Sequence, residues 1–160
     1  MFEKFKWFLI HFEETLCAIL FALMAIVTFT NVLTRYLFHY SLAFTEELVV
    51  SFFVWVTLLG GAIAFRERAH LGFSFIIQRL SLKSQKFFIW FSASLSIFLF
   101  LILIYFSIRQ IMEEIVLAIT SSGIGIPQWW YTIGVPLWSI LVILRLIQGA
   151  RIAQRQLEKL

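Results

Sequence analysis

"FFIWFSASLSIFLFLILIYFSI", Phe87 to Ile108, is 22 residues without a charge. As a helix it covers ~33 Å, enough to cross the ~30 Å hydrocarbon core of a bilayer. Two similar runs lie upstream, Thr15 to Thr34 and Leu48 to Phe65, of 20 and 18 residues. Downstream, the uncharged stretch Ile115 to Leu144 contains "SSGIGIPQWW", where Ser, Gly and Pro mark a turn. A fourth helix therefore starts after Pro127, a good first helical residue, and ends near Arg145. Pro136 falls inside it and predicts a local bend rather than a break, because a packed bundle can satisfy the freed carbonyl.

Composition agrees. Hydrophobic residues make up 61% of the chain and charged residues 14%, with nine Glu and no Asp. Such a chain cannot cover a water-facing globule. The expected fold is an all-α integral membrane protein, a single domain over 1–160 with spans at about 15–34, 48–65, 87–108 and 128–145. The first run is too long for the h-region of a signal peptide and no small-x-small site follows it, so it reads as a retained helix.

Basic residues set the orientation. The N-terminal tail, the 66–86 loop and the C-terminal tail hold eleven of the thirteen Lys and Arg; only Arg35 and Arg109 lie on the other side. Both termini are expected in the cytoplasm, and loops 35–47 and 109–128 outside it. Three segments read as short interfacial amphipathic helices: the N-terminal stripe Phe2, Phe5, Leu9, Phe12 and Leu16; "HLGFSFIIQRL" at 70–80; and "IRQIMEEIVLAI" at 108–119, which continues or bends from the third helix.

Chemistry is mostly excluded. Cys17 is alone, so neither an intrachain disulfide nor a multi-cysteine metal site can form. None of the spans carries an ionisable residue at mid-depth, whereas a self-sufficient ion-coupled transporter needs such groups or broken helices there. "SSGIGIPQ" lacks the lysine and the setting of a phosphate loop. No catalytic residue, metal or cofactor is expected, and no nucleic-acid partner. A haem-binding or assembly membrane anchor is the alternative, but His11, His39 and His70 flank the spans, with His39 opposite the other two.

The hairpin "RYLFHYSLAFTEELVV", 35–50, holds the remaining signal. Thr45 is placed to cap the second helix, and Glu46 and Glu47 to meet the positive end of its dipole, with Arg35 at the negative end of the first. Asn31, Thr34, Arg35, Ser41, Glu46 and Glu47 also gather at one depth, where they can hold the hairpin or dock a partner. Gly60 and Gly61, with Ala62 and Ala64, form a small-residue patch that a neighbouring helix can approach.

From Asn31 to Gly72 the sequence resembles the small membrane subunit of tripartite ATP-independent periplasmic (TRAP) transporters. The matching positions are Asn31, Arg35, Tyr36, Phe38, Ser41, Phe44, Glu46, Glu47, Phe53, Val54, Trp55, Gly60, Gly61, Arg66, Glu67, His70 and Gly72, in order. Arg68 and Ser74 depart from the pattern. The resemblance implies a non-enzymatic scaffold subunit in the bacterial inner membrane. Its implied partners are a large membrane subunit that uses a sodium gradient, a periplasmic binding protein that captures an organic acid, and membrane lipids. The organic acids this implies are C4-dicarboxylates, sialic acid or other sugar acids. Sodium is then expected on the large subunit. The docking or structural candidates are Asn31, Arg35, Tyr36, Ser41, Glu46, Glu47, Trp55, Gly60, Gly61, Arg66 and His70.

Overall fold

The structure, a computed structural model, describes residues 2–39, 42–67 and 82–157, with side chains described for 11–39, 42–67 and 83–157. Its helices are α1 (Phe2–Phe38), α2 (Ala43–Arg66), α3 (Leu82–Val116), α4 (Trp129–Thr132) and α5 (Gly134–Leu157). Four segments are long and apolar enough to cross a membrane: His11–Phe38, Ala43–Arg66, Lys83–Val116 and Trp129–Leu157, the last combining α4 and α5. The chain is an all-helical, multi-pass membrane protein.

The helices outrun the uncharged runs that reveal them. Lys, Arg, Glu and Gln are good helix formers, so a charge at the membrane boundary ends the apolar stretch without ending the helix. The fourth helix, expected to stop near Arg145, instead continues to Leu157. The N-terminal apolar stripe is part of α1, and the segment after Ile108 belongs to α3 as far as Val116. The segment 70–80 lies outside the described residues.

Backbone torsions, more than charges, set the described ends at the loop side. His39 takes φ 54, a left-handed conformation that closes α1. Ala118 takes φ 48 and closes α3. There the Ile119 N–H reaches the Glu114 carbonyl at 3.0 Å and the Ala118 N–H reaches Ile115 at 3.2 Å, the paired bonds of a Schellman motif. Pro136 has no N–H to return to Thr132. The ladder lapses for one residue at Ile133, which keeps helical torsions of φ −60 and ψ −26, so α4 and α5 form one span.

Packing centres on α5. α3 and α2 each pack against it, and α1 packs against α2; α1 and α3 share no packed face. The buried positions of α5 include Ser139, Val142, Leu146, Gly149, Ala150 and Ala153, a helical stripe of mostly small side chains. Ile89 and Ala93 of α3 close on Leu146, Ala150 and Ala153. A Cβ on Gly149 would lie 2.6 Å from the Phe65 carbonyl oxygen, so α2 and α5 need glycine at that crossing. The patch at Gly60 and Gly61 makes no such approach among the described residues, since a Cβ at either would meet none of their atoms within 4 Å. Glycine in a membrane helix marks a close contact only where another backbone passes it. Elsewhere the surface is apolar, with Phe21, Phe29, Phe98 and Leu99 each at least 60% exposed, as suits side chains that meet lipid.

Candidate partner-docking site

Polar side chains gather at two levels, one at the loop end (residues 31–55 and 110–134) and one at the terminal end (13–14, 66–67 and 145–148). At the loop end, Asn31 of α1 reaches across the hairpin, and its Oδ1 accepts the Leu42 N–H at 2.9 Å. Leu42 is the residue that caps α2, without a side-chain cap bond. The expected capping by Thr45 does not occur. α2 begins at Ala43, which makes Thr45 its third helical residue, and the buried hydroxyl donates to the Leu42 carbonyl at 2.6 Å. Asn31 therefore serves, from the neighbouring helix, an N–H that α2 itself leaves without a partner.

Glu47 turns toward the 117–128 loop. Its carboxylate accepts hydrogen bonds from the Ser121 and Ser122 hydroxyls and from the Ser122 N–H, the last at 3.1 Å. The loop is itself folded, with an antiparallel bridge between Thr120 and Pro127 and a Ser121 N–H to Ile126 carbonyl bond of 2.8 Å. A Cβ on Gly123 would overlap the Phe44 backbone, so the loop rests directly on the first turn of α2. About two turns below, the Trp55 indole N–H donates to the Tyr131 carbonyl at 3.1 Å, and Gly134 leaves room for the ring. Glu114 of α3, 4% exposed, accepts from Gln110 at 3.0 Å and from the Thr132 hydroxyl at 2.9 Å. Between α2, α3 and α4 lies a cleft of about 460 Å³, lined among others by Glu46, Glu47, Trp55, Gln110 and Tyr131.

Arg35 and Tyr36 are exposed, and among the described residues Arg35 makes no ion pair with Glu46 or Glu47. Glu46 is exposed in the first turn of α2. Ser41 and His70 lie outside the described residues.

At the terminal end, Glu13 is fully buried between two arginines. Arg66 Nη1 is 3.0 Å from one carboxylate oxygen, and Arg145 Nε donates to the other. Arg66 also pairs with Glu14 and, at 3.2 Å, with Glu67; Arg145 donates to Gln148 at 2.9 Å. One buried carboxylate thereby ties α1, α2 and α5 together. Of this group the sequence offered only Arg66 as a docking or structural candidate, with Glu67 beside it among the matching positions. At the loop end it missed Ser121, Ser122, Gly123, Glu114 and Gly134. The "SSGIG" turn was visible, but not the carboxylate that would dock on it. His11 and His39 sit near opposite ends of α1, 28 residues or ~42 Å apart, too far for a shared haem.

Residues 4–156 match the family described as tripartite ATP-independent periplasmic transporters, DctQ component. The chain belongs to this family. The DctQ component is the small membrane subunit, and the relatives agree. Over 143 residues the chain is 32% identical to the sialic acid TRAP transporter permease protein SiaT of Haemophilus influenzae (strain 86-028NP), covering 88% of this chain and 22% of that protein. It is 26% identical over 110 residues to the C4-dicarboxylate TRAP transporter small permease protein DctQ of Rhodobacter capsulatus, covering 69% and 48%. With the protein of that name from Vibrio cholerae serotype O1 the identity is 32% over 76 residues, covering 48% and 33%. The chain thus spans less than half the length of each of these relatives.

Proposed function

We propose that this small permease subunit is the static scaffold of a sodium-coupled TRAP transporter that imports an organic acid across the bacterial inner membrane. It works beside a large membrane subunit and a periplasmic binding protein, with its own termini in the cytoplasm. One observation carries the scaffold role. Apart from Glu114, which neutral donors hold near the loop end, the buried carboxylate and the arginines that face it are neutralised inside the chain, at the terminal end. A moving or ion-binding element needs polar groups near mid-depth. The SiaT match supports the partnership, because there the similar segment is 22% of one longer permease chain. The substrates for which the relatives are named, sialic acid and C4-dicarboxylate, are both carboxylates, which supports the class. Sodium then binds the large subunit, and no cofactor is required on this chain. The asymmetry of Lys and Arg supports the orientation.

Reconstitution tests this reading. The chain alone in liposomes should move no organic acid. With the large subunit, a sodium gradient and the loaded binding protein, uptake should appear. Sodium-dependent uptake by the small subunit alone refutes the scaffold role, and thiol labelling of a cysteine engineered at residue 40 from the cytoplasmic face refutes the orientation.

A further inference from the structure

We propose that the loop-end cleft receives a lysine or arginine side chain of the large membrane subunit, with Glu46 as its counter-charge. This rests on the reading of the chain as that subunit's partner, and it names the place and chemistry of the contact. The cleft lies where α2 and α3, which both pack on α5, make little contact with one another. Toward the terminal end their flanks meet edge-to-face at Phe65 and Phe100, with ring centroids 6.5 Å apart. Toward the loop end the gap opens into the cleft, floored by Tyr131, Thr132 and Val135.

Charge decides the occupant. The lining holds two carboxylates and no cation. Glu47 is already saturated by Ser121 and Ser122, whereas Glu46 is exposed and makes no hydrogen bond or ion pair among the described residues. Tyr131 adds a buried hydroxyl without a hydrogen-bond partner among the described residues. Below the carboxylate, Val50, Val54 and Trp55 provide apolar walls that suit the methylene stem of a long basic side chain. A phospholipid headgroup fits less well, because its phosphate would find no cationic donor. The open side also points to a membrane partner: Val50, Phe53 and Val54 are exposed along the flank of α2, which meets neighbours within the bilayer, whereas a soluble protein meets helix ends.

The test co-expresses the tagged chain with the large TRAP membrane subunit and quantifies the complex recovered in mild detergent. Glu46→Lys should lower the yield about tenfold and Glu46→Gln about threefold. A basic-to-Glu change at the contacting position of the large subunit should restore the Glu46→Lys complex. That position is found by placing a photo-crosslinking residue at Val50, which should capture a large-subunit peptide bearing Lys or Arg. Glu46 is exposed, so both variants alone should unfold like wild type, which separates lost docking from misfolding. Wild-type yield from Glu46→Lys, or a Val50 crosslink to phospholipid alone, overturns the docking proposal while leaving the scaffold reading intact. Failure of the wild-type chains to associate at all overturns both.

Discussion

The two polar ends of the molecule are built differently. At the terminal end full charges meet full charges: Glu13 lies between Arg66 and Arg145, and Arg66 also holds Glu14 and Glu67. At the loop end, apart from the exposed Arg109–Glu113 pair along α3, the acids meet neutral donors, Glu47 on two serines and Glu114 on Gln110 and Thr132, and Glu46 is left over. The first arrangement is closed, since three helices satisfy one another. The second fixes a loop on a helix yet leaves a charge and a cleft available. A scaffold subunit needs both, a clamp that keeps its helices in place and an end that still has something to offer a partner.

Breaking the clamp should have the largest effect. Glu13→Ala takes from Arg145 its carboxylate and from Arg66 its buried partner, leaving Arg66 only Glu14 and Glu67, and should cost about 3 kcal/mol. Denaturant titration of the detergent-solubilised chain checks this, and a loss under about 1 kcal/mol would reduce the clamp to an ordinary surface network.

At the loop end the same kind of change should cost less, because the donors left behind are neutral. Glu47→Gln should lose about 1.5–3 kcal/mol and loosen the 117–128 loop to proteolysis. A double-mutant cycle with Ser121→Ala and Ser122→Ala should show coupling above about 0.5 kcal/mol, and additivity would mean that the contact carries no energy.

Two glycines sharpen the contrast between packed and open surfaces. Gly149→Leu forces α5 away from the Phe65 carbonyl and should cost about 1–3 kcal/mol. Gly60→Leu should stay within about 0.5 kcal/mol in the isolated chain, since it points into open space. Equal losses at both would contradict the assigned helix neighbours. The smallest effect is a gain: Ala118→Gly relieves a left-handed residue at the end of α3 and should add up to about 1 kcal/mol, seen as a higher unfolding midpoint.

These residues also mark what was legible in the sequence. Bilayer thickness is a one-dimensional constraint, so a run such as Phe87 to Ile108 announces its span locally. Helix ends were less legible because Arg145 ends an apolar run without ending a helix. The site residues split the same way. Asn31, near the end of one apolar run, and Glu47, at the start of the next, stood out as polar groups, but the contacts that cross the fold did not, because Glu47 and Ser122 are 75 positions apart and Glu13 and Arg145 are 132. Glu13 sits in a polar flank that reads as ordinary membrane boundary. Gly60 and Gly61 looked like the packing motif and Gly149 like part of a tail, because a glycine shows its purpose only once the neighbouring helix is known.

The contrast between a closed and an open end is tested most directly by hydrogen exchange, measured by mass spectrometry on the chain alone and bound to the large membrane subunit. The account predicts that binding slows exchange in the 117–128 loop and the first turns of α2, and leaves the backbone around Glu13, Arg66 and Arg145 unchanged. New protection around Glu13, Arg66 and Arg145, with none at the loop end, would contradict it.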